Sequence, residues 1–176
     1  MDKKEFMLLM LVPAVVIIAL LSVHLYILSF GQEILLEIPE PIDPRDLFRG
    51  DYVRLNYEIS QINLTETSYD YGFSRGEPIY ATLSEKEKFW TIDSVSHTEP
   101  TLINNQVFMK GEVTSVYKDR VRVKWGIESF FVPEGEGLPI ERHMGKGNVS
   151  IVVKVGYNGY SVIKELLIND EVVKFG

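Results

Sequence analysis

Charged side chains of types and spacings that could do chemistry gather in two stretches. Asp43, Arg45, Asp46, Arg49, Asp51 and Arg54 alternate in sign over a short segment. A guanidinium can hold a carboxylate through two parallel N–H bonds. The cluster therefore reads either as a salt-bridged rim locking the chain onto a domain, or as a recognition surface for a partner's carboxylate or peptide terminus. The second stretch carries Glu128, Glu134, Glu136, Glu141 and His143. These are oxygen and imidazole ligand types, yet their spacing fits neither His-Glu-x-x-His nor a calcium loop. No metal and no cofactor is expected. A hydrolytic nucleophile would have to draw on Ser129 with Lys124, or on a serine with His97 or His143, and none of these sits in a recognisable motif. His97 and His143 both lie in glycine-, serine- or proline-rich surroundings that suggest exposed loops. The chain is not expected to be an enzyme.

The element that must position all of this comes first in the chain. Residues 6–30 contain no charged side chain. As a helix they would reach roughly 37 Å at about 1.5 Å per residue, enough to cross a hydrocarbon core of about 30 Å. The run is longer than the apolar core of a removable signal peptide, so it is read as an anchor, with Ser29-Phe30-Gly31 the only tolerable cleavage signature. Pro13 lies inside it, and Tyr26 suits an interfacial aromatic belt. Lys3 and Lys4 precede the run, and no basic residue follows before Arg45. That asymmetry places residues 1–5 in the cytoplasm and the rest outside the cell membrane.

Composition narrows the partners. The chain has 176 residues and a formal charge of −7, and the charges of residues 1–5 cancel. An acidic domain argues against nucleic acid, which needs a basic surface to displace counterions. It argues equally against a domain resting flat on anionic lipid. Cysteine is absent, which rules out disulfides and thiolate metal sites.

Beyond the anchor, Pro39, Pro41 and Pro44 make residues 31–47 read as an extended connector, and residues 48–176 form one domain. From Tyr52 a strand pattern appears, with Val53, Leu55, Tyr57 and Ile59 on one face. Residues 63–76 read as a long loop. Hairpins are expected for 79–83 with 89–95 around Glu85 and Lys86, for 107–117 with 120–125 at Lys118-Asp119, and for 149–155 with 161–168 at Tyr157-Asn158-Gly159. Residues 129–132 and 171–175 add short strands, and residues 138–143 leave room for one helical turn. The fold class is mostly β: a sandwich or barrel of antiparallel hairpins, preceded by one N-terminal transmembrane α-helix.

Gly50-Asp51-Tyr52-Val53-Arg54-Leu55-Asn56-Tyr57 matches every fixed position of the signature of the GDYXXLXY family of membrane-anchored prokaryotic proteins. The lead-in from Asp43 to Arg49 is similar too. A second block, from Trp125-Gly126-Ile127-Glu128 through Phe131-Val132-Pro133-Glu134-Gly135 to Glu141, resembles that family's Tyr-Gly-Ile-Glu…Phe-Val-Pro-Glu-Gly stretch, with Trp125 where tyrosine is usual. The resemblance implies no established activity. Members are often encoded beside multi-pass membrane proteins, which implies a membrane complex.

The expected function is non-catalytic binding or scaffolding, with Asp43, Arg45, Arg49, Asp51, Tyr52, Tyr57, Glu128, Glu134 and Glu141 as binding residues. Gly50, Pro133 and Gly135 are expected to shape the motif, and the two blocks to meet in the fold. Two alternatives stand beside this. Arg49-Gly50-Asp51-Tyr52-Val53 loosely resembles a strand of signal peptidases, although the Ser-Met-x-Pro box those hydrolases carry is missing. Tyr69, Tyr71, Phe73, Trp90 and Trp125 could instead line a small-ligand site in a β-barrel.

Overall fold

The computed structural model describes residues 3–39, 52–69, 72–103, 105–131 and 149–174. The uncharged N-terminal run folds as one helix, α1 (Lys3–Phe30), which continues through Pro13. Its 22-residue portion Leu9–Phe30 has a mean hydropathy of 2.6 and is long and apolar enough to cross a membrane. Its apolar side chains project outward on every side, from Leu9 through Ile18 and Leu20 to Leu25. Among its described side chains only Ile27 is buried.

A single residue separates α1 from the first strand. The Gly31 N–H closes the helix on the Ile27 carbonyl at 2.8 Å. Strand β1 (Gln32–Ile38) begins immediately after. It pairs antiparallel with β10 (Val149–Val155), Gln32 opposite Val155 and Ile38 opposite Val149. Residues 32–38 are therefore a sheet strand and not a connector. They are extended, as the following prolines suggest, but Ile34, Leu36 and Ile38 point into the core while Glu33 and Glu37 stay outside.

Two sheets share that core. One has the order β1-β10-β11-β12, with β11 at Ser161–Ile168 and β12 at Glu171–Val172. The other, six-stranded, has the order β3-β8-β7-β5-β6-β4. Its members are β3 (Gln61–Asn63), β4 (Ser68–Tyr69), β5 (Pro78–Lys86), β6 (Phe89–Ser96), β7 (Gln106–Tyr117) and β8 (Arg120–Lys124). Among the described residues every pairing is antiparallel except β4 with β6. The sheets meet where β1 lies against β6 and β10 against β7. Ile34, Leu36, Ile151 and Val153 from one sheet thereby pack with Ile79, Leu83, Met109 and Val113 from the other. Alternation of β-branched and polar residues is what selects these faces.

The turn after β10 ties the pieces together. The Lys110 N–H of β7 donates to the Gly159 carbonyl at 2.9 Å. Gly159 has φ +78°, and a Cβ there would stand 2.5 Å from the Phe108 ring, so only glycine fits both the conformation and the approach.

Several expectations shift in detail. The β5–β6 turn falls at Glu87-Lys88, two residues later than expected, because β5 keeps pairing until Lys86 opposite Phe89 and Glu87 takes the positive φ of 59°. Residues 63–76 are not a plain loop: they contain β4, and Leu64 and Phe73 are buried. The final strand stops at Val172. The helical turn expected at residues 138–143 lies outside the described residues.

Candidate functional site

The two motif blocks meet. Strand β2 (Tyr52–Arg54) pairs antiparallel with β9 (Ser129–Phe131), Tyr52 opposite Phe131 and Arg54 opposite Ser129. The ladder continues past β2 through the Leu55 N–H, which donates to the Glu128 carbonyl at 2.9 Å. Beyond Leu55 the strand expected from residues 52–60 breaks down. The Ser60 N–H reaches back to the Tyr57 carbonyl, and Glu58–Ser60 wind into one 3-10 turn. Leu55, Tyr57 and Ile59 still point inward, but Ser60 is buried with them, so the alternation ends there.

Tyr57 is the centre of this junction. It is 1% exposed, and its hydroxyl donates to the Ile127 carbonyl. Burial raises its pKa far above the ordinary value near 10, and the neighbouring negative charge of Glu128 adds to the effect. The phenol therefore stays protonated and engaged at every ordinary pH. It acts as a fixed donor rather than as a proton carrier.

Glu128 is turned toward backbone. Its carboxylate accepts the N–H of Trp125 and the N–H of Gly126, the latter at 3.1 Å. Gly126 sits at φ +86°, which lets the chain curl around that carboxylate. The Trp125 indole N–H donates to the Ile59 carbonyl at 3.2 Å, so the second block also grips the 3-10 turn of the first. Chemically, the arrangement is a lock between two distant segments. Tyr57 is engaged with a main-chain carbonyl and Glu128 with two main-chain N–H groups.

Other sequence-selected residues fall as follows. Asp43, Arg45, Arg49, Gly50, Asp51, Pro133, Glu134, Gly135 and Glu141 lie outside the described residues. Tyr52 is placed by its backbone as the first residue of β2. Among the described residues no three His, Asp or Glu side chains group as metal ligands. Of the aromatics that could line a ligand site, Phe73, Trp90 and Trp125 belong to the core and Tyr69 is exposed, while Tyr71 lies outside the described residues. His97 is not on an exposed loop. It is half-buried just after β6, its ring stacked on Phe73 with centroids 4.1 Å apart and its Nε2 3.6 Å from a Glu77 carboxylate oxygen.

The profile of the GDYXXLXY proteins matches residues 13–166, from inside α1 to within β11. The chain belongs to the GDYXXLXY protein family. No function is assigned to that family. No match was found among curated proteins or solved structures. The geometry gives part of the GDYXXLXY signature a physical meaning. Its leucine, Leu55, and its second tyrosine, Tyr57, are the buried residues that face the second block. A separate junction uses residues that sequence reasoning did not single out. Ile27, Gly31 and Gly156 form the seat of the helix on the domain, where a Cβ on Gly31 would come within 2.5 Å of the Ile27 carbonyl oxygen and one on Gly156 within 3.0 Å of the Ile27 side chain. A lone glycine at the end of the apolar run carried the signal, as part of the Ser29-Phe30-Gly31 cleavage signature.

Proposed function

We propose that this GDYXXLXY protein is a single-pass membrane protein, its N-terminus cytoplasmic and its β domain outside. We propose further that the domain binds or scaffolds a neighbouring component, such as a multi-pass membrane protein, and performs no reaction of its own. The observation that carries this reading is the passage of α1 into β1 through Gly31 alone, with Ile27 buried against the domain. A domain without a flexible tether holds one orientation relative to its span, so it presents the same face to whatever stands beside it in the membrane. The outward apolar side chains of α1 are solvated by lipid or by another helix, never favourably by water. The Arg/Asp cluster of residues 43–54 supplies bidentate donors for a partner carboxylate.

The test is crosslinking in intact membranes with the full-length chain, beside a variant carrying Arg45→Glu, Arg49→Glu and Asp51→Lys. A specific membrane partner that the folded variant loses supports the reading. A partner indifferent to the variant, or none at all, returns the cluster to a structural role. Orientation is checked separately by Tyr117→Cys, the one thiol in an otherwise cysteine-free chain. An impermeant thiol reagent should label it on whole cells, and labelling only after lysis overturns the assignment.

A further inference from the structure

The end of the β domain from which α1 departs is apolar on its outside. Phe30 is 76% exposed, Tyr157 80% and Ile103 73%. Tyr157 meets Tyr26 edge-on, ring centroids 6.5 Å apart, and Tyr26 in turn lies 5.1 Å from Phe30. The tip of the β10–β11 hairpin therefore stands at the level of the last helical turn. Phe30 and Tyr157 also line a cleft of about 500 Å³ together with Pro100 and Leu102. The segment between β6 and β7 thus reaches the same end, where the Ile103 N–H is held by the Gln106 side chain at 3.2 Å.

If α1 spans the bilayer, whatever touches its last turn sits at the depth of the lipid headgroups. Tyrosine is one of the two side chains enriched at that depth, having an apolar body and a polar tip, and phenylalanine beside it adds apolar area. We infer that this end of the domain is seated in the bilayer interface, with Leu102, Ile103 and Tyr157 in the headgroup zone beside the exit of α1. The occupant of the apolar surface is lipid, and the surface adjoins the span through Tyr26, Phe30 and Tyr157. Charge does not drive the contact. Glu99 lines the cleft, and Lys154 and Lys164 are each within 3.2 Å of Glu33. The seating therefore needs no anionic lipid, in contrast to a polybasic attachment.

The inference rests on α1 spanning the bilayer, so the experiment tests both. Full-length chain with a single fluorophore-labelled cysteine is placed in phosphatidylcholine vesicles containing shallow nitroxide lipids. The labels go at Ile17→Cys within the helix, at Ile103→Cys and Tyr157→Cys, and at Tyr117→Cys. Tyr117 ends β7, a 12-residue strand that starts at Gln106 in the cleft wall and measures about 36 Å along its length. Quenching at positions 103 and 157 should exceed that at 117 several-fold. It should not rise with added phosphatidylglycerol or fall with salt, and at 157 it should fall when Leu102→Ser and Ile103→Ser are combined. If 17 is quenched but 103 and 157 match 117, the domain stands clear of the bilayer and the inference is overturned alone. If 17 is not quenched, the span and the inference fall together. Quenching that appears only with anionic lipid overturns the apolar seating.

Discussion

Tyr57 and Ile127, seventy positions apart in the chain, are joined by a hydrogen bond from the buried phenol to the backbone carbonyl. That bond fastens the end of the first motif block to the start of the second, one residue before Glu128 turns back onto Trp125 and Gly126. Everything between them, including β3 to β8, is enclosed in the loop it closes.

Tyr57→Phe keeps the ring and removes the donor. The Ile127 carbonyl is then buried without that partner, which costs about 1–3 kcal/mol. Denaturant unfolding of the full-length chain in nanodiscs should show the loss at neutral pH, with the fold retained. An unchanged midpoint would mean that water replaces the phenol at no cost.

The same residue sets an alkaline limit. Its folded pKa is raised by burial and by Glu128, whereas the unfolded tyrosine ionises near pH 10. The contribution is therefore fully present below about pH 10 and is lost as pH rises beyond it. Wild type should lose stability above that pH more steeply than Tyr57→Phe. Parallel pH–stability curves for the two would contradict the assignment.

Glu128→Ala frees the N–H groups of Trp125 and Gly126 from a charged acceptor. Hydrogen bonds to charged groups contribute about 1.5–3 kcal/mol, and Glu128 is partly solvated, so a loss at the low end is expected. Amide exchange should accelerate first at Leu55 and Ser129 to Phe131, the ladder that the curled turn supports. Uniform acceleration across the domain would point to global destabilisation instead.

Gly31→Val tests the rigid seat. A Cβ at this position would meet the Ile27 carbonyl oxygen at 2.5 Å and the Val155 carbonyl oxygen at 3.0 Å. Both are backbone atoms, so helix and sheet must separate, at a cost of about 1–3 kcal/mol for overpacking. Spin labels at Ile17→Cys and Tyr117→Cys should give a narrow distance distribution in the parent chain and a broader one in the variant. Equal widths would show that the junction was never fixed.

Glu33 adds a shallow acid limb. Its pKa is lowered, first by its hydrogen bonds to Lys164 and Lys154. A lowered carboxyl pKa contributes stability above its unfolded value near 4.3 and loses it as pH falls through the folded one. Because Glu33 is half exposed, the effect of Glu33→Gln should stay below about 1 kcal/mol and shrink with salt. A larger loss would mean that the trio is sheltered by lipid.

Local patterns were enough for much of this protein. An uncharged run specified α1, because its signal is composition within the run itself. The β7–β8 and β10–β11 hairpins were legible at Lys118-Asp119 and Tyr157-Asn158-Gly159, since alternation and turn chemistry act between neighbours. The candidate site was half legible: motif residues flagged Tyr57 and Glu128 but suggested an outward, partner-facing role. Only the tertiary structure decided that Tyr57 points inward to Ile127, that residues 32–38 pair with β10, and that the strand from Tyr52 stops at Arg54 for a 3-10 turn. A backbone N–H or a phenol carries no local mark of its partner. Which carbonyl it meets is settled by packing the two sheets around one core, and no stretch of sequence contains that choice by itself.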